Sequence, residues 1–156
     1  MNGRVAGKQP GNSAGAGKLY LKKFEIIDHT ADTGIVARGE TLARAFENAA
    51  LGMFSIITEI SRINKSDSRT VEVHAADIES LLVEWLNELV YIFDVDHLIF
   101  SRFDVHDLSD SMLKATCYGE KYDPLKHILK TGIKSATFYM LSVNRQENCV
   151  KVIFDV

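Results

Sequence analysis

Phe24-Glu25-Ile26-Ile27-Asp28, then His29-Thr30-Ala31-Asp32-Thr33, then Gly34-Ile35-Val36-Ala37-Arg38-Gly39: how this stretch is read decides the fold. Phe24 to Asp28 is a short apolar run, and Gly34 to Gly39 is a second strand candidate. The loop between them, Asp28 to Gly34, packs two acids and an imidazole directly after a strand. Strands this close in sequence favour antiparallel pairing. At the far end, Cys149-Val150-Lys151-Val152-Ile153-Phe154-Asp155-Val156 reads as a buried strand that closes on a carboxylate. If the closing strand lies beside the opening pair, Asp32 and Asp155 share one oxygen-rich pocket.

Two amphipathic helices stand between these ends. Thr41 can cap the first, accepting from the free amides of its first turn. Leu42, Ala45, Phe46, Ala49, Met53 and Ile57 then recur at three- and four-residue steps, which is one helical face. Small Ala49, Ala50 and Gly52 predict close packing on a sheet, and Met53 and Phe54 read as core. Asp77 is the N-cap candidate of the second helix, and Glu79 suits its positive start. Ile78, Leu81, Leu82, Trp85, Leu86, Leu89, Val90 and Phe93 form its wide apolar face. Asp94 and Asp96 fall near its C-terminus, where the dipole disfavours acids, so they read as a solvated loop.

Arg69 to His74 alternates like a half-buried strand. Leu98 to Val105, Ser111 to Gly119, Ile133 to Val143 and Cys149 to Asp155 are four more strand candidates. Tyr122 to His127 reads as a turn into a short helix, and Asn144 to Asn148 as a hairpin loop. The order β-β-α-β-α-β-β-β-β predicts a single α+β layered domain, a mainly antiparallel sheet packed with two main helices.

A chain of 156 residues fits one domain with a real core, and 46% hydrophobic with 25% charged residues is ordinary for a globular protein. The net charge of -3 supplies no global basic field. Strong direct nucleic-acid binding is therefore not expected, and a protein partner or a cation fits better. Cys117 and Cys149, alone and far apart, could form one disulfide but read first as two buried free thiols in a reducing compartment. No apolar run is long enough to span a membrane, and the start lacks a signal-peptide core. These features together predict a cytoplasmic protein. Residues 1–18 are poor in large apolar side chains and read as a flexible leader, with the domain over 19–156. The stretch Gly11 to Lys18 imitates a phosphate-binding loop, but Asn12 and Leu19 break the pattern and no strand precedes it.

His29, His74, His97, His106 and His127 show no zinc spacing, and no Ser or Cys sits in a nucleophile elbow. Gly119 to Asp123 is polar without a reaction-specific spacing. On the residues alone, Asp32 before Thr33-Gly34 reads either as a turn residue holding its own backbone or as a metal ligand. Thr30 and His29 can close the same loop by hydrogen bonds. Asp155, after a run of apolar strand residues, must be solvated, paired or bound to a cation. Two hard carboxylates without clustered thiols favour Ca²⁺, Mg²⁺ or Mn²⁺ over a soft metal.

Asp28-His29-Thr30-Ala31-Asp32, Gly39 with Thr41-Leu42, Ala45-Phe46-Glu47-Asn48-Ala49-Ala50, Asp77 to Leu82, Trp85 to Leu89, Gly119-Glu120, Ile133-Lys134 and Val152 to Val156 occur here in order. Together they resemble the archease family, small cofactors of the RtcB-type RNA ligase of tRNA splicing. The resemblance runs from Phe24 to Val156. It implies a compact α+β domain that binds a divalent cation, Ca²⁺ first and Mg²⁺ or Mn²⁺ next, and does no chemistry of its own. It implies Asp32 and Asp155 as metal ligands, with the C-terminal carboxylate of Val156. It implies that Lys134 and His29 serve partner activation, meaning ligase guanylylation and repeated turnover. The chain departs from the family at Thr137-Phe138-Tyr139, where Tyr139 replaces a usual histidine. Two rival readings are a small divalent-metal-dependent hydrolase or nuclease, and a chaperone-like modulator of another nucleic-acid enzyme.

Overall fold

The computed structural model describes residues 22–29 and 32–156, so the leader and the Thr30-Ala31 step lie outside the described residues. In chain order the elements are β1 (Phe24–His29), β2 (Asp32–Arg38), α1 (Leu42–Ile57), a 3-10 turn (Ile60–Arg62), β3 (Asp67–His74), α2 (Ile78–Asp96), β4 (Leu98–Leu108), β5 (Met112–Lys121), β6 (Ser135–Ala136), β7 (Ser142–Asn144) and β8 (Cys149–Asp155). Every strand pairing is antiparallel. One sheet runs β1-β2-β8, and the far edge of β8 pairs with β6 at its Asp155 end and with β7 at its Cys149 end. The second sheet runs β3-β5-β4. Among the described residues this is an α+β fold with two helices, and the sheet is split in two.

Helix α1 joins the sheets. Thr41 caps it as expected, its Oγ1 accepting from the Arg44 amide at 3.1 Å. The sequence pattern gives it one apolar face, yet Ala50, Phe54 and Ile56 are buried as well. The reason is that it packs on both sheets. On one side a Cβ at Gly52 would sit 3.0 Å from the Phe24 ring, so the helix lies flat against β1 and β2. On the other, the Phe54 ring meets Phe100 edge-on and stacks on Phe103, both centroids 5.9 Å away. Even Glu47 is buried, and its Oε2 accepts the Val105 amide at 2.8 Å.

Helix α2 starts at Asp77, which accepts from the Ser80 amide at 2.8 Å. Trp85 is fully buried, and its indole N–H donates to the Phe46 carbonyl at 3.0 Å, so the two helices are fastened by a satisfied aromatic. Asp94 and Asp96 belong to the last helical turn, not to a solvated loop. Asp96 offsets the dipole penalty by accepting from Arg69 at 2.9 Å, and His97 ends the helix at φ 57°.

Two further expectations change. The segment Ile133 to Val143 is not one strand. Both the amide and the hydroxyl of Thr137 donate to the Ile153 carbonyl, at 3.0 and 2.8 Å, and the chain then turns at Met140 with φ 55°. Tyr122 to His127 forms a turn without a helix, because the Asp123 carbonyl takes the amides of both Lys126 and His127. Asn144 to Asn148 is the hairpin loop expected, with Asn144 Oδ1 accepting from the amides of Gln146 and Glu147. Both cysteines are free, but only Cys117 is buried, and Cys149 is partly exposed.

Candidate functional site

The register of the first sheet brings the two acidic ends together. β2 and β8 pair from Arg38↔Cys149 to Thr33↔Phe154. One further step of that register sets Asp32 opposite Asp155. Directly opposed residues in an antiparallel pair have Cβ atoms about 5 Å apart. Val150, Val152 and Phe154 turn towards the helices and are buried, so by alternation Asp155 lies on the other face, where it is exposed. Asp32 lies on that face as well. It is a strand residue, paired in the ladder with His29 beside the connection between β1 and β2. The His29 side chain and Thr30 lie outside the described residues. Asp28 pairs with Thr33 and so belongs to the opposite face from Asp32.

Because β8 is an inner strand, a third segment reaches the same end. Ser135 pairs with Asp155, and the Lys134 amide donates to the Asp155 carbonyl at 2.8 Å. Ile133 and Ala136 are buried while Lys134 is exposed, and its backbone is what meets Asp155. This segment is fixed from below by Asn87 of α2. Its Oδ1 accepts the Ala136 amide at 2.6 Å and its Nδ2 donates to the Ala136 carbonyl at 3.4 Å. Sequence reasoning missed Asn87 as a positioning residue. The available signal was an amide on an otherwise apolar helix face, which needs a partner when it is covered.

Val156 follows β8 and is exposed, as are Phe138, Tyr139 and Met140 in the turn after β6. The structure thus gathers Asp32, Asp155, Val156 and Lys134 at one sheet end. Among the described residues no three His, Cys, Asp or Glu side chains converge on one point. The donors here are two side-chain carboxylates and the main-chain oxygens at the end of β8.

Residues 24–156 match the family model for the Archease protein family. The chain belongs to the archease family. The protein archease of Methanosarcina mazei is 41% identical over 128 residues, covering 80% of this chain and 88% of that protein. The protein archease of Sulfolobus acidocaldarius is 38% identical, covering 81% and 92%. Among solved structures, protein 1598 of Methanobacterium thermoautotrophicum superposes with a TM-score of 0.71 at 36% identity, covering 87% of this chain and all of that one. An archease of Thermotoga maritima, described as a possible chaperone, gives 0.57 at 17% identity over 88% and 98%, a likeness of fold alone. No helix among the described residues is long and apolar enough to cross a membrane.

Proposed function

We propose that this archease is a cytoplasmic, metal-binding accessory protein that activates an RtcB-type RNA ligase in tRNA splicing, promoting ligase guanylylation and multiple turnover. The observation that supports this reading is the β2–β8 register, whose continuation by one step from Thr33↔Phe154 would oppose Asp32 and Asp155, with the Lys134 backbone bonded to Asp155. Like charges directly opposed on a sheet are destabilising. A pair kept in that position is accounted for by a cation between them. The donor set fits a hard divalent ion such as Ca²⁺, because every donor is an oxygen. Asp32 and Asp155 would hold it, joined by the Val156 carboxylate where the chain ends there. A bound cation would supply a fixed positive charge at an end that is otherwise acidic, and Lys134 adds an ammonium free to meet a partner's phosphate or carboxylate.

Family membership supports an accessory role, and the Thermotoga maritima relative's description as a possible chaperone supports a protein partner. A hydrolase would need a positioned base on the metal. Among the described side chains, which leave out His29, no third acid or imidazole converges there. The test is guanylylation of a cognate ligase with and without this protein, at several Ca²⁺ concentrations, comparing wild type with Asp32→Ala. The expected result is activation by wild type alone, with the variant folded. Equal activation by a folded Asp32→Ala removes Asp32 from the site.

A further inference from the structure

A cleft of about 530 Å³ opens beside the first half of α1, lined by Lys23, Arg44, Lys65 and Arg102 with two acids, Glu47 and Asp104. It lies far from the carboxylate pair. Lys23 and Asn48 each bond the backbone of Arg38, at 2.9 and 2.6 Å, so the cleft sits at the Arg38 end of β2. Asp32 is at the other end of that strand, roughly 20 Å away at the usual rise per residue.

The acids in the cleft are already committed. Glu47 Oε1 takes Arg44 at 3.3 Å and its Oε2 takes the Val105 amide at 2.8 Å. Asp104 takes Arg102 through both oxygens, at 3.4 and 3.1 Å. Arg102 is further steadied over the Tyr118 ring, 5.0 Å from its centroid. The arginines are thereby oriented and charge-balanced. Lys23 and Lys65 are exposed and have no carboxylate at ion-pair distance among the described residues. The cleft therefore carries a surplus of two positive charges on a chain whose net charge is -3. Leu51 and Phe103 complete its wall, so it also has an apolar side.

We propose that this cleft binds a small phosphate-bearing anion, with Lys23 and Lys65 meeting the phosphate charge and Arg44 and Arg102 presenting fixed guanidinium donors. Guanidinium and ammonium groups make charge-assisted bonds to phosphate oxygens. The volume is that of a small-molecule pocket, which lies at about 300–1,000 Å³. A nucleic-acid track would instead need an extended basic stripe on a basic chain.

The test uses inorganic pyrophosphate as the probe, titrated into the full chain by calorimetry and by amide NMR. The expected result is saturable binding that weakens as NaCl rises, with amide shifts around Arg44 and Arg102. The double variant Lys23→Ala/Lys65→Ala, whose changes are both exposed, should bind at least roughly tenfold more weakly. Lys130→Ala and Asp32→Ala should bind as wild type does, which separates this site from the carboxylate end. Absence of binding at millimolar pyrophosphate, or equal binding by the double variant, overturns the proposal. Binding of decauridylate without binding of pyrophosphate overturns the small-ligand assignment.

Discussion

Glu120 is a single carboxylate asked to satisfy three donors. It accepts the Asn64 amide at 2.8 Å, His127 Nε2 at 2.8 Å and the Lys126 ammonium at 2.9 Å. His127 Nδ1 accepts the Asp123 amide at 3.0 Å, which places the ring proton on Nε2, where a neutral imidazole donates to Glu120. Burial alone would raise the Glu120 pKa. The Asn64, Lys126 and His127 donors more than offset that and lower it from 4.5 to about 2. The folded value lies below the unfolded one, so the stability this group contributes is present above pH 4.5 and is lost as pH falls towards about 2. Glu120→Gln should cost about 1–3 kcal/mol at neutral pH and flatten the stability profile across that acid window, read by denaturant melts at several pH values. Lys134 works differently. Only its backbone amide bonds Asp155, so Lys134→Ala keeps that contact and should leave Ca²⁺ affinity unchanged while weakening ligase activation. Calorimetry and the guanylylation assay check the two halves separately, and equal activation would make Lys134 a solvated lysine and nothing more.

The bulged edge of the second sheet shows what one element demands of its neighbour. β4 slips register against β5 between Phe100 and Arg102, and its backbone there crowds Gly119. A Cβ at Gly119 would stand 1.8 Å from the Ile99 carbonyl oxygen and 2.7 Å from the Phe100 Cα. Both are main-chain atoms that cannot swing aside. Gly119→Ala should therefore cost on the order of 3–5 kcal/mol in thermal or denaturant unfolding, a large value for one methyl group. A wild-type melting curve would show that the bulge relaxes freely. The same element explains what the sequence could and could not say. The helices were legible because Thr41 and Asp77 are capping residues and the apolar repeat is strong. Most strands were legible by alternation. The break inside Ile133 to Val143 was not, because it depends on Thr137 reaching Ile153, a partner from another strand. Nor was the extension of β1 and β2 through His29, Asp32 and Thr33, since polar residues at a strand end look like a loop until the ladder is seen. The register that brings Asp32 to the Asp155 end of β8 is long-range in the same way, and no local pattern holds it.

At the scale of the molecule, the last strand of the chain is an inner strand of its sheet, held by β2 on one side and by β6 and β7 on the other. That arrangement buries Val150, Val152 and Phe154 under the helices and leaves the carboxylate of Asp155 at the sheet's end. One step of register beyond Thr33↔Phe154, the two carboxylates stand in cross-strand opposition, which is destabilising in the metal-free protein. A site that exists for a cation and a site that exists for stability respond oppositely to neutralisation. Asp155→Asn removes one charge without removing volume, and its exposed position spares the core. Without metal, this variant should melt at or above the wild-type temperature, because the repulsion is gone. With Ca²⁺ at a hundredfold excess over its dissociation constant, wild type should gain about 2.7 kcal/mol and the variant little or none. Melting curves in chelator and in Ca²⁺, run on both proteins, give all four numbers. A variant less stable than wild type in chelator, yet raised equally by Ca²⁺, would mean that Asp155 is a structural carboxylate with a partner in the fold. The opposite pattern would mean that the end of β8 trades stability for a ligand, which is what an accessory protein with an exposed, pre-assembled metal end requires.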